Sequence, residues 1–97
     1  MNREEQDKLN QEVRRSDKAK QILENPIFKE SIEELKKLYT SSLFNTGVKE
    51  TDTREKLWMA YQIVGKVENH IKEILDTGKL ASKQLEDFRT QEKSKRF

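Results

Sequence analysis

His70 is the only histidine in the chain and lies one turn before Glu73 on a stretch with helical periodicity. A metal site in a helical bundle needs several ligands converging from different helices, often with Glu three residues ahead of His. Here the order is reversed and there is no second His and no Cys, so no metal or other cofactor is expected. His70 reads instead as a partly buried side chain beside Val67 and Ile71, hydrogen-bonded to a polar neighbour. Nucleophilic catalysis would need a base within reach of a hydroxyl, and His70 is the one strong candidate, with Ser and Thr mostly in turns or on helix surfaces. The adjacent carboxylates Glu33 and Glu34 point to neighbouring helix faces and lack the apolar enclosure that would drive their pKa values apart. The expectation is a protein that is not an enzyme.

Phe28, Tyr39, Phe44, Trp58 and Tyr61 could form a stacking platform for single-stranded nucleic acid, which would need basic side chains interleaved with them. That interleaving is weak. All five fall on apolar helical phases, so a hairpin core is the plainer reading, and some could be anchors in a protein interface, where Trp and Tyr are favoured. A helix-turn-helix would have a turn of three or four residues and a recognition helix that opens with basic groups. The connection here is longer, and Asp52 and Glu55 stand beside Arg54 and Lys56. Lys93, Lys95 and Arg96 near the C-terminus could make weak phosphate contacts independent of DNA sequence.

These groups must be positioned by a small core. With 97 residues, the chain has room for one domain, read as a single helical domain over 1–97. Its 20 Lys and Arg against 18 Asp and Glu leave a net charge of +2, far from the footprint of a surface that grips nucleic acid throughout. The absence of Cys excludes disulfide scaffolds and thiolate chemistry. No apolar run approaches the ~18 residues of a membrane span, and no signal-peptide core opens the chain, so a soluble protein without membrane contact is expected.

The spacing predicts an all-α fold. Residues 1–24 form a charged N-terminal helix in which Leu9, Val13, Ser16, Ala19, Ile22 and Leu23 make one thin seam, either against a partner or on a solvated helix that frays. Asn25-Pro26 caps and starts a second helix, about 26–44, with Ile27, Phe28, Ile32, Leu35, Leu38, Tyr39 and Leu43 inward and Lys29, Glu33, Lys36 and Lys37 outward. Asn45-Thr46-Gly47 ends it. Asp52 and Glu55 fit a capping box for a third helix, about 52–76, whose core positions are Leu57, Trp58, Tyr61, Val64, Val67, Ile71, Ile74 and Leu75. Gly65 within it marks either close approach of another helix or a tolerated glycine. Asp76-Thr77-Gly78 ends that helix, Lys79 to Arg89 form a short fourth one through Leu80, Ala81, Leu85 and Phe88, and 90–97 are a basic flexible tail. Helices two and three should pair as an antiparallel hairpin, with surplus apolar surface that subunit association would cover.

At Asn25-Pro26-Ile27-Phe28-Lys29-Glu30, Asp52-Thr53-Arg54-Glu55-Lys56-Leu57-Trp58 and Thr77-Gly78-Lys79-Leu80-Ala81 the chain resembles small all-helical proteins of tailed bacteriophages and prophages. The resemblance implies a setting among DNA packaging and virion-assembly genes, with the small terminase subunit as one candidate, and a place in the host cytoplasm or the virion. It brings no catalytic residues. The combined expectation is a homo-oligomeric assembly or adaptor protein that meets other packaging or virion proteins. Leu9, Val13, Ile22, Leu23, Trp58 and Tyr61 are its expected interface residues. The alternative is a nucleic-acid-binding regulator, or an inhibitor of a host nucleic-acid enzyme, acting through the basic end.

Overall fold

The computed structural model describes residues 1–94, and every regular element among them is α-helical: α1 (Arg3–Glu24), α2 (Pro26–Phe44) and α3 (Thr51–Ser94). Two compact units emerge, one of residues 1–22 and 71 onward, the other of residues 23–70, and α3 contributes to both.

In the first unit, Asn2 starts α1 by accepting the Glu5 N–H at 2.8 Å through its side-chain oxygen, which satisfies one of the unpaired amides at the helix start. The seam expected along α1 is present. Ser16 and Ala19 are buried, Leu9 and Val13 are half-buried, and Ile22 at its edge is exposed. Opposite them on α3 lie Gly78, Ala81 and Leu85, all buried. Small side chains on both helices let the backbones approach closely. A Cβ placed on Gly78 would overlap Ser16 Cβ and Oγ and stand 2.9 Å from the carbonyl oxygen of Glu12. The Ser16 hydroxyl donates to the Leu75 carbonyl at 3.0 Å, so the polar group carried into this seam is satisfied.

The sequence reading is corrected along α3. Asp76-Thr77-Gly78 does not end the helix: α3 continues to Ser94, and the separate fourth helix is its C-terminal part. Gly78 has an ordinary helical backbone, since no described residue has positive φ. Its role is the absence of a Cβ, and tertiary packing overrides its poor helix propensity. The close approach suspected at Gly65 is at Gly78, because a Cβ on Gly65 would meet nothing within 4 Å. Thr90 to Ser94 are likewise helical, not tail.

In the second unit, Asn25 caps α2 as expected, its side-chain oxygen accepting from Ile27 N–H at 2.9 Å and Phe28 N–H at 3.2 Å, with Pro26 in the first helical turn. The link to α3 is built differently from the expectation. Thr46 donates its hydroxyl to the Leu43 carbonyl at 2.7 Å, Glu50 accepts the Gly47 N–H at 3.4 Å, and Arg54 N–H bonds the Glu50 carbonyl at 3.1 Å. Glu50 therefore stands where the helix begins, and Asp52 and Glu55 lie inside the first turns instead of forming the capping box.

α2 and the first half of α3 pack as an antiparallel pair. Ile32 is buried, with Phe28, Tyr39 and Leu43 half-buried on α2 and Leu57, Tyr61 and Val64 half-buried on α3. Lys36, expected on the wet side, shares this inner phase and pairs with Glu68 at 2.9 Å. The hydrogen bond that Lys36 donates to Glu68, together with the carboxylate's charge, raises the Lys36 pKa above its usual 10.5. This polar pair sets which turn of α2 faces which turn of α3.

Candidate interaction surface

The residues with chemical potential are not brought together. His70 is exposed, not partly buried, and Glu73 beside it is exposed as well. No group of three or more His, Cys, Asp or Glu among the described residues could hold a metal ion. Glu33 and Glu34 are both exposed. No described helix is long and apolar enough to cross a membrane. Lys93 is exposed on the last turn of α3, and Lys95 and Arg96 lie outside the described residues.

Among the aromatics, Trp58 stacks on Tyr61 with ring centroids 6.0 Å apart and planes 17° from parallel. Tyr61 is half-buried, while Trp58 is 52% exposed at the rim of a shallow groove shared with Leu43, Thr51, Arg54 and Glu55. Phe44 is almost fully exposed at the end of α2. In the first unit, Leu9 and Val13 belong to the α1 seam, and Ile22 borders a second shallow groove with Ala19, Ile71 and Ile74. Leu23 is half-buried in the second unit.

Four positions that the spacing places in the core, Ile27, Leu35 and Leu38 on α2 and Val67 on α3, are exposed instead, because each lies about 100° off the inner stripe of its helix. Ile27, Leu38, Ile63 and Val67 are each at least half exposed, at 68%, 57%, 56% and 50%, and Leu35 is exposed beside them. An α-helix advances about 100° per residue, so each of these positions lies at a fixed angle from the inner stripe of its helix. On α2, Ile27, Leu35 and Leu38 fall on the flank that precedes Phe28, Lys36 and Tyr39. On α3, Ile63 and Val67 fall on the flank that precedes Val64 and Glu68. In an antiparallel pair, the preceding flanks of the two helices lie on the same side. The five side chains therefore form one apolar face of the hairpin, whereas Trp58 lies on the opposite side. Met59, 60% exposed, extends the apolar character of α3 behind this face.

Charges of both signs border the face: exposed Glu30, Glu34 and Lys37 on the outer side of α2, and exposed Lys66 and Glu55 on the outer side of α3, while exposed Lys56 falls in angle between Ile63 and Val67. Compared with models of protein families, with curated proteins and with solved structures, the chain matches none of them.

Proposed function

We propose that this chain is a non-enzymatic helical assembly protein that works through protein contacts, with the apolar side of the α2–α3 hairpin as its contact surface and a second copy as the first partner. The observation that carries the reading is surface left uncovered. Within the hairpin, Ile27, Leu38, Ile63 and Val67 are each at least half exposed and Leu35 is exposed beside them, all on one side of α2 and α3. Burying leucine, isoleucine and valine side chains at ~1.5–3 kcal/mol each supplies the driving force.

The setting proposed for this work is DNA packaging or virion assembly in a tailed phage, supported by the resemblance at Asn25 to Glu30, Asp52 to Trp58 and Thr77 to Ala81. Contact with further packaging or virion proteins would follow from the same exposed helices. Light scattering at micromolar concentration tests the reading. The parent should give more than one chain per particle, and Leu38→Glu with Ile63→Lys should give one chain of unchanged helicity. A parent that remains a single chain across the accessible concentration range would overturn it. So would tight sequence-specific DNA binding by a monomer, which would favour a regulator of nucleic-acid function instead.

A further inference from the structure

The apolar face of the hairpin contains one group that titrates near neutral pH. His70, the chain's only histidine, follows Ile63 by seven residues, about 20° short of two full turns, and follows Val67 by three. It therefore continues the α3 side of the face by one turn, and it is exposed like Ile63 and Val67. Lys36 pairs with Glu68, so His70, two residues further along α3, stands across from the part of α2 that precedes Lys36, the stretch that carries Ile27 and Leu35. Apolar side chains of both helices flank the imidazole. A second copy seated on Ile27, Leu35, Ile63 and Val67 covers His70 with them.

The charged groups around His70 are of both signs. On α3, Lys66 and Glu73 stand about a turn away on either side, and on α2 Glu30, Glu34 and Lys37 line the outer border. On α1, Arg15 and Lys18 line the groove that holds Ile71 and Ile74, the residues of α3 that follow His70, and Glu24 ends the helix. Lys36 and Glu68 face each other as an ion pair. Apart from that pair, these cations and anions are evenly mixed and all exposed, so water screens them and neither sign dominates. What association changes at His70 is its access to water, and an imidazolium costs more to cover than a neutral imidazole.

We propose that self-association through this face is pH-dependent, holding while His70 is neutral and weakening as His70 takes up a proton. This rests on the assembly reading above and adds its regulation. The free chain accepts at His70 a proton that the dimer excludes, so falling pH draws the equilibrium toward single chains. Each dimer covers two copies of His70, which doubles the proton uptake on dissociation. The window belongs to histidine, since an imidazole ordinarily protonates around pH ~6.5 whereas carboxylates stay ionised down to about pH 5.

Sedimentation equilibrium of the full chain at about pH 7.5 and about pH 5.5, one unit either side of the ordinary histidine value and at one ionic strength, tests the proposal. The dissociation constant of the parent dimer should rise about tenfold at the lower pH. His70→Gln, which keeps a polar side chain that does not titrate, should hold its dissociation constant constant to within about threefold between the two pH values. A parent that associates as tightly or more tightly at the lower pH would overturn the proposal and leave self-association standing. So would a His70→Gln variant that keeps the parent's pH dependence, the result expected if the lower pH acts through loss of fold or through other groups. A parent that is a single chain at both pH values would remove the assembly reading itself.

Discussion

Replacing Gly65 and Gly78 by alanine should change stability in opposite directions, although both sit within the same 44-residue helix. Helix propensity favours each substitution by about 1 kcal/mol. At Gly65 nothing lies within 4 Å of the new methyl, so that gain should appear almost undiminished. At Gly78 the methyl would overlap Ser16 Cβ and Oγ and stand 2.9 Å from the Glu12 carbonyl oxygen. The carbonyl and Ser16 Cβ can move only if α1 moves. Overpacking of this kind costs ~1–3 kcal/mol, and separation of the helices also threatens the 3.0 Å Ser16–Leu75 hydrogen bond, a further ~1 kcal/mol. After subtracting the propensity gain, Gly78→Ala should lose about 2 kcal/mol. For a domain of this size, 1 kcal/mol moves the midpoint by roughly 4–8 °C. Thermal unfolding followed by far-ultraviolet circular dichroism should therefore show Gly65→Ala about 4–8 °C above the parent and Gly78→Ala about 8–16 °C below it. A rise in both variants would refute the seating of α1 on Gly78.

Three other perturbations follow from the hairpin. Asn25→Ala should cost about 1 kcal/mol in urea unfolding, because the Ile27 and Phe28 amides lose their acceptor; an unchanged midpoint would show that the cap contributes nothing. Lys36→Gln should cost at most ~1 kcal/mol near neutral pH, since the Lys36 side chain of the pair is 35% exposed and screened by solvent. Because pairing raises the Lys36 pKa above 10.5, its contribution is complete below that value and disappears as pH rises through the higher folded-state value. The urea midpoints of parent and variant should accordingly converge above pH 10.5, and a constant gap would reject the pair as the cause. Trp58→Ala should cost roughly 2 kcal/mol, below the ~3–5 kcal/mol of a fully buried Trp, since Trp58 is 52% exposed and rests on Tyr61. A larger loss would mean that the indole is buried in solution.

Helix starts were legible where a short local signal decides them. Asn25-Pro26 is such a signal, because cap, proline and first turn are contiguous and no distant residue is involved. Gly78 shows the opposite case. A local reading of Asp76-Thr77-Gly78 gives a helix end, yet the glycine is required by Ser16, a contact made 62 residues away in sequence. Lys36 was placed outward because lysine is seldom on an inner phase, and only the position of Glu68 on the facing helix explains it.

The apolar face was passed over for a different reason. The 3–4 spacing on α3 is satisfied by Leu57, Trp58, Tyr61, Val64, Val67, Ile71, Ile74 and Leu75, which leaves Met59 and Ile63 outside the pattern. The signal was nonetheless present: Leu57 to Val67 is apolar at most positions around the helix, more than one neighbour needs. A second apolar side on α3 is what the proposed pairing of copies would cover. The sequence places the protein contact on Leu9, Val13, Ile22, Leu23, Trp58 and Tyr61, and the exposed apolar face of the hairpin adds Ile27, Leu35, Leu38, Ile63 and Val67 as a further candidate.

Cysteine labelling tests most directly whether that face is covered, because the chain has no cysteine of its own. Ile63→Cys and Gln62→Cys place thiols on neighbouring positions of α3, one on the apolar face and one off it, and both are exposed in the single chain. At concentrations where light scattering reports association, a maleimide should modify Ile63→Cys at least tenfold more slowly than Gln62→Cys. Dilution should remove the difference. Equal labelling rates at every concentration would contradict the claim that this face of the hairpin is where copies of the chain meet.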